Sequence, residues 1–259
     1  MIRKIAFIFL MVVGSSVLSH AQDSPEVLFE KGISSLNSSQ YTEAVQYFTE
    51  YIASIDNNFQ AYLNRGKAYF NLRQYDEALA DMNATVKLQD GAVDAYFIRG
   101  LIYKNKKKRN DALLDFNRVL KLDPEHAEAY NNRGMLYSEV KQYQNALLDF
   151  SKALKLDDGY VDAHYNKGYT YIQLDDYTNA IASFNTTLRL DSNFTLGYIN
   201  RGLCYYAIQS YEKCITDLEK AIELEPSYSS MVEKYIKSSN DLLEQKQKEI
   251  EKNKKKKDD

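Results

Sequence analysis

Residues 127–160 read AEAYNNRGMLYSEVKQYQNALLDFSKALKLDDGY, and residues 161–194, VDAHYNKGYTYIQLDDYTNAIASFNTTLRLDSNF, lie over them without a gap. In each, a ring-bearing residue (Tyr130, His164) stands four positions before a glycine (Gly134, Gly168) and a tyrosine (Tyr137, Tyr171) three after it. A small residue follows twelve after the glycine (Ala146, Ala180), with a phenylalanine four beyond that (Phe150, Phe184). Spacings of three and four keep side chains on one helix face. Each stretch is therefore predicted to be two helices joined by a polar turn, the first carrying an aromatic stripe and the second an apolar one.

The same period runs outward in both directions. Gly32, Gly66, Gly100, Gly134, Gly168 and Gly202 are each 34 residues apart, six of the ten glycines in the chain. With Pro25 as the first residue, six units follow: 25–58, 59–92, 93–126, 127–160, 161–194 and 195–228. Tyr41, Tyr75, Tyr143, Tyr177 and Tyr211 mark the turns, and Leu122 to Pro124 and Leu224 to Pro226 close units with a helix-ending proline. A glycine inside a helix costs about 1 kcal/mol relative to alanine, so the set costs roughly 6 kcal/mol unless close helix packing offsets it. A hairpin of this size cannot bury both apolar faces alone, so consecutive units must stack around a shared core.

The composition agrees with an all-α chain: 259 residues contain only three prolines and no tryptophan, with 22 tyrosines and 44% apolar residues. Arg3 and Lys4, the apolar run Ile5 to Val13, and Ser19-His20-Ala21 before Gln22 read as a secretory leader over residues 1–21, cleaved after Ala21. The expected location is therefore outside the cytoplasm, periplasmic or secreted. The run Ile5 to Leu18 is too short to span a bilayer, which takes about 20 residues. Without the leader the formal charge moves from −3 to −5, which gives no general attraction for nucleic acid. Cys204 and Cys214 are too few for a disulfide framework; Cys214 takes the small-residue slot of the sixth unit and reads as buried, with a bond to Cys204 as the alternative.

The units resemble the tetratricopeptide repeat: aromatic, Gly, Tyr, Ala, Phe and Pro fall at that family's offsets over residues 25–228. The resemblance implies a right-handed α-solenoid of helix-turn-helix repeats whose first helices line a concave groove that holds peptides or protein segments. Departures are local. Arg109 replaces the turn tyrosine in the third unit, His164 the aromatic in the fifth, and most units lack the closing proline. Residues 229–250 keep Val232, Tyr235, Ile236, Leu242 and Leu243 at helical spacing without a glycine, so they are expected to form a capping helix, with residues 251–259 a charged, loose tail.

The units can also be compared with one another. Arg65, Arg99, Arg133 and Arg201 precede their glycines, and the same four units carry Asp81, Asp115, Asp149 and Asp217 before the second-helix apolar anchor. The units with Lys31 and Lys167 have Tyr47 and Ser183 there instead. Six agreements in six units predict a buried bidentate ion pair inside each arginine hairpin, architectural rather than ligand-binding.

The face opposite the aromatic stripe is expected to line the groove: Phe29, Ile33 and Leu36 in the first unit, Leu63 and Phe70 in the second, Phe97 and Leu101 in the third, Asn131 and Met135 in the fourth. The fifth and sixth units add Tyr165, Tyr169, Ile172, Gln173, Ile199, Leu203 and Tyr206, flanked by Asn166 and Asn200. The partner-binding site is placed on Tyr165, Asn166, Tyr169, Ile172, Gln173, Asn200, Leu203 and Tyr206. Packing of that surface against the capping helix or another copy of the chain is the competing reading. Some family members clamp acidic peptide tails with groove lysines and asparagines; here Phe29 and Ile33 stand in those positions and Glu26, Asp94, Glu128 and Asp162 lie at the margin. An apolar or basic protein segment is the expected partner.

Nothing in the sequence assembles a catalytic site, metal site or cofactor site. His126 and His164 have no cysteine or carboxylate neighbours at metal-ligand spacing, and every periodic glycine lies within a helix rather than a phosphate-binding loop. Neither a small-molecule substrate nor a cofactor is expected. The function is expected to be non-catalytic protein binding in the groove, with a scaffold or self-assembling unit of a cell-envelope complex as the alternative.

Overall fold

The computed structural model describes residues 23–258. The leader expected over residues 1–21 lies outside the described residues. Twelve helices form six antiparallel hairpins: α1 (Pro25–Asn37) with α2 (Tyr41–Ser54), α3 (Phe59–Asn71) with α4 (Tyr75–Leu88), and α5 (Val93–Asn105) with α6 (Arg109–Leu122). They continue as α7 (Ala127–Glu139) with α8 (Tyr143–Leu156), α9 (Val161–Ile172) with α10 (Tyr177–Leu190), and α11 (Thr195–Ala207) with α12 (Tyr211–Leu224). A 3-10 turn at Pro226–Tyr228 leads into α13 (Ser229–Asp258), and no strand occurs among the described residues.

The periodic glycines stand where neighbouring helices would otherwise collide. A Cβ added at Gly32, Gly100, Gly134 or Gly168 would lie 2.8 Å from the ring of Phe48, Phe116, Phe150 or Phe184. At Gly66 it would meet the Met82 methyl at 2.2 Å, and at Gly202 the Leu218 side chain at 2.9 Å. These six anchors are at most 1% exposed. Burying one such side chain contributes about 1.5–3 kcal/mol, more than the roughly 1 kcal/mol the glycine costs its helix.

Each first helix ends the same way. Ser39, Arg73, Lys107, Lys141, Asp175 and Gln209 adopt φ between 56° and 61°, and the next residue's N–H bonds a carbonyl five back, as Gln142 does to Tyr137 at 2.9 Å. This left-handed C-terminal cap usually carries glycine; here non-glycine residues bear the strain in all six units. The closing proline proves dispensable: Ile55, Gln89, Asp157 and Asp191 take the same extended backbone as Asp123 and Glu225, which precede Pro124 and Pro226.

First helices touch first helices at α1–α3, α3–α5, α7–α9, α9–α11 and α11–α13, whereas successive second helices stay apart, so the first helices form the inner face of the curve. Between α5 and α7 the Lys104 ammonium reaches across to Asn132 Oδ1, and its burial pushes its pKa down.

α13 packs on α12 through Val232 and Ser239, both fully buried. The helix does not stop near residue 250: it continues through the expected loose tail to Asp258. Glu, Gln and Lys are good helix formers, and Glu244 bridges Lys248 at 2.6 Å one turn on, so an already nucleated helix propagates. Residues Glu244 to Lys254 are exposed, as expected.

The cysteines are free. Cys204 packs with Ala180 and Phe184 and Cys214 with Leu218 and Val232, in two separate core clusters, so no disulfide joins them. Burial pushes the Cys204 thiol up to about 12 and the Cys214 thiol upward as well.

Candidate functional site

The arginine pairs form within hairpins. Arg133 Nε and Nη2 donate to the two Asp149 oxygens at 2.7 Å each, and Arg65–Asp81, Arg99–Asp115 and Arg201–Asp217 repeat the fork at 2.7–2.8 Å. The aspartates are 3–5% exposed. Desolvation raises the Asp81 and Asp115 carboxyl pKa values, while the carboxylate contact raises those of Arg65 and Arg99. Tyrosines three before and four after, such as Tyr130 and Tyr137 around Arg133, lie 5.5 and 5.8 Å from the guanidinium carbon.

A third contact was not read from the sequence. The remaining nitrogen, Nη1, donates backward into the preceding hairpin: Arg65 to Thr49 at 3.2 Å, Arg99 to Asn83 at 2.9 Å, Arg133 to Asn117 and Arg201 to Asn185 at 2.7 Å. Each arginine therefore staples its own hairpin to the one before it. The signal was available, because the residue after each core anchor is Thr or Asn wherever the next unit has arginine, and Ser151 where the next unit has Lys167.

On the inner face the structure divides the residues placed in the site. Tyr165, Asn166, Tyr169 and Gln173 line a cavity of about 470 Å³ between α7 and α9, completed by Met135, Ser138, Glu139, Lys141, Tyr143, Phe150 and Thr170. Tyr169 is 46% exposed. Neither Tyr169 nor Gln173 makes a side-chain hydrogen bond to another described residue. Glu139 at the rim is paired with Arg109 at 3.1 Å.

The other four residues are used elsewhere. Ile172 packs beside Ala180, Phe184 and Cys204, and Leu203 beside Cys214, Leu218 and Val232. The Tyr206 hydroxyl shares a 2.9 Å hydrogen bond with Ser238, and its ring meets Tyr235 at 5.3 Å, so this end of the face packs against α13. The Asn200 amide donates to the Tyr165 hydroxyl at 2.9 Å, and the Asn166 amide to Asn131 Oδ1 at 3.0 Å. The asparagines thus bind neighbouring repeats together. The open surface is centred on the fourth and fifth units, one unit earlier than the sequence suggested.

Toward the first units the face is filled. Phe29 lies against Phe48 and Tyr51, Phe97 against Phe116 and His126. Of the margin acids, Asp94 is paired with Lys67 at 2.6 Å and Glu128 lies 3.0 Å from His126 Nδ1. Among the described residues no group of three or more His, Cys, Asp or Glu is placed to hold a metal ion, and no helix is long and apolar enough to cross a membrane.

Comparison with known structures finds this architecture repeatedly. A tetratricopeptide repeat protein from Parabacteroides merdae ATCC 43184 is 20% identical, with a TM-score of 0.67 over 83% of this chain and 88% of that one. MamA from Desulfovibrio magneticus RS-1 is 22% identical, TM-score 0.62, over 67% and 98%. YrrB, described as a TPR protein with an unusual peptide-binding site, is 22% identical, TM-score 0.59, over 69% and 92%. No curated protein sequence matches the chain. Tetratricopeptide repeat profiles match residues 63–108, 93–126, 127–160, 161–194 and 196–228, well over half the chain, and with the six stacked hairpins they show that this protein belongs to the tetratricopeptide repeat family.

Proposed function

We propose that this is an exported, non-catalytic binding protein that holds a segment of another protein on its inner face, with an apolar side chain of that segment seated between α7 and α9. The observation that carries the reading is the cavity itself. Its 470 Å³ falls within the roughly 300–1,000 Å³ usual for ligand sites. An exposed aromatic wall, Tyr169, and the unengaged amide of Gln173 sit together on a face otherwise filled by its own side chains. A tyrosine ring offers contact area at low entropic cost, and the glutamine amide can pair with an extended peptide backbone. Asp162, exposed two turns before Tyr169 on α9 and so about 10 Å along the face, favours a basic residue of the segment at that distance from the apolar anchor. The peptide-binding description of YrrB lends support by likeness of fold.

The test is selection of peptides from a random display library against the chain from residue 22, followed by affinity measurement. Tyr169→Ala should weaken the selected peptides by at least about tenfold, the effect of losing a buried aromatic contact. Tyr206→Phe, which removes only a contact to α13, should leave affinity unchanged. Equal binding to the Tyr169→Ala protein would reject the site.

A further inference from the structure

Five seams join the six hairpins, and four of them carry an arginine staple. The seam between the fourth and fifth units does not, and it is the seam that holds the cavity. Lys167 stands in the arginine position, and its Nζ has no hydrogen-bond or ion-pair partner among the described residues. Ser183 takes the aspartate position and turns its hydroxyl back to the Asn179 carbonyl at 2.9 Å. Ser151 replaces the backward acceptor. His164, in place of the tyrosine that elsewhere flanks the guanidinium, engages the Asp158 carbonyl at 3.0 Å instead. A lysine is a point charge on a flexible stem and cannot make the planar three-way contact of a guanidinium. His164, Lys167 and Ser183 of the fifth unit and Ser151 of the fourth thus depart from the pattern around one contact.

α8 still packs on α9, and the side-chain hydrogen bonds that join α7 to α9 lie at the inner edge. Asn166 donates to Asn131 at 3.0 Å, and the Ser138 and Thr170 hydroxyls are 3.4 Å apart. The seam is stitched along the cavity floor and unstitched on the side facing the second helices. We infer that Ser151, Lys167 and Ser183 are positioning residues of the groove: by omitting the staple they leave α9 free to rock against α7 about the amide bonds, so that the cavity admits anchoring side chains of different size. The first half of this inference concerns the seam alone; the second rests on the proposed binding site.

The substitutions that test it already exist within the chain. Ser151→Asn, Lys167→Arg and Ser183→Asp together copy the stapled units, and Asn117→Ser, Arg133→Lys and Asp149→Ser copy the open one. Hydrogen exchange of the chain from residue 22 should show α9 amides exchanging at least about tenfold faster than those of α7 and α11, the signature of a local opening. The stapled triple variant should slow α9 to the rate of α7, and the unstapled triple variant should accelerate α7. An α9 as protected as α7 in the parent chain, or unaffected by the added staple, overturns the seam. For the cavity, peptides carrying Ala, Val, Leu, Phe or Trp at the anchor position should bind the parent within about tenfold of one another and the stapled variant with a wider spread; an unchanged spread overturns the positioning role. Should no selected peptide bind the parent, the binding site falls, and the exchange rates still decide the seam.

Discussion

Replacing Arg133 with alanine removes more than one contact. Its guanidinium donates two 2.7 Å bonds to Asp149 and a third, also 2.7 Å, to Asn117, with side-chain exposures of 19% for Arg133 and 7% for Asp149. Truncation strands the aspartate in a site with little water, which typically costs about 3–5 kcal/mol, and loses a bond to Asn117 worth about 1 kcal/mol. The expected loss is therefore about 4–6 kcal/mol, a large share of the 5–15 kcal/mol that ordinary domains possess. Arg133→Lys retains the charge but not the fork and should lose about half of that. The assay is urea unfolding followed by far-ultraviolet circular dichroism, with Asp149→Ala and the Arg133→Ala/Asp149→Ala pair completing a double-mutant cycle. In the cycle the double variant should be little worse than either single one, since the stranded charge is gone. A loss under about 1 kcal/mol for Arg133→Ala, the range of an exposed ion pair, would refute the claim that these arginines hold the stack together.

Gly134→Ala should destabilise despite alanine's better helix propensity, because the new methyl lies 2.8 Å from the buried Phe150 ring; a net loss of about 1 kcal/mol in thermal unfolding is expected, overpacking outweighing propensity. Lys107→Gly should do the opposite and raise stability by up to about 1 kcal/mol, since it relieves a left-handed residue at φ 57°, again read from thermal unfolding. Cys204, whose thiol is pushed up to about 12 by burial, stays protonated at pH 8, and Cys214 is shifted the same way. Iodoacetamide at that pH should leave both cysteines unmodified in the native protein and label both in guanidinium without reductant, as mass spectrometry would read; a disulfide would block labelling in guanidinium as well.

The fold was legible because its determinants are local and repeated. Gly134 and Phe150 are sixteen residues apart, but the five other units repeat the spacing, with phenylalanine in three and Met82 and Leu218 in the others, so a spacing that would mean little once becomes decisive. The arginine–aspartate pairs were legible for the same reason: six internal copies substitute for an alignment. The contact from Arg133 back to Asn117 escaped because it crosses the unit boundary, and only the neighbouring unit's residue explains it. The site was partly legible. A helical wheel places Tyr165, Tyr169 and Tyr206 on one face, but it does not show that Tyr206 meets α13 or that the Asn166 and Asn200 amides are taken up by the preceding repeat. Nor do periodicity and composition distinguish a loose lysine-rich tail from a helix extended by an already packed segment, which is what α13 does.

The register that places a glycine every 34 residues reaches Ile236 in α13, and the arginine slot reaches Tyr235. In polymer terms, each hairpin is a monomer added to a growing end, and the glycine notch is the reactive group that accepts the second helix of the same unit. Ile236 fills that notch and Tyr235 cannot reach back with a guanidinium, so α13 joins the end without presenting a place for a helix of its own. With Val232 and Ser239 turned into the stack and Glu233, Lys234, Lys237 and Asp241 exposed, it acts as a chain terminator.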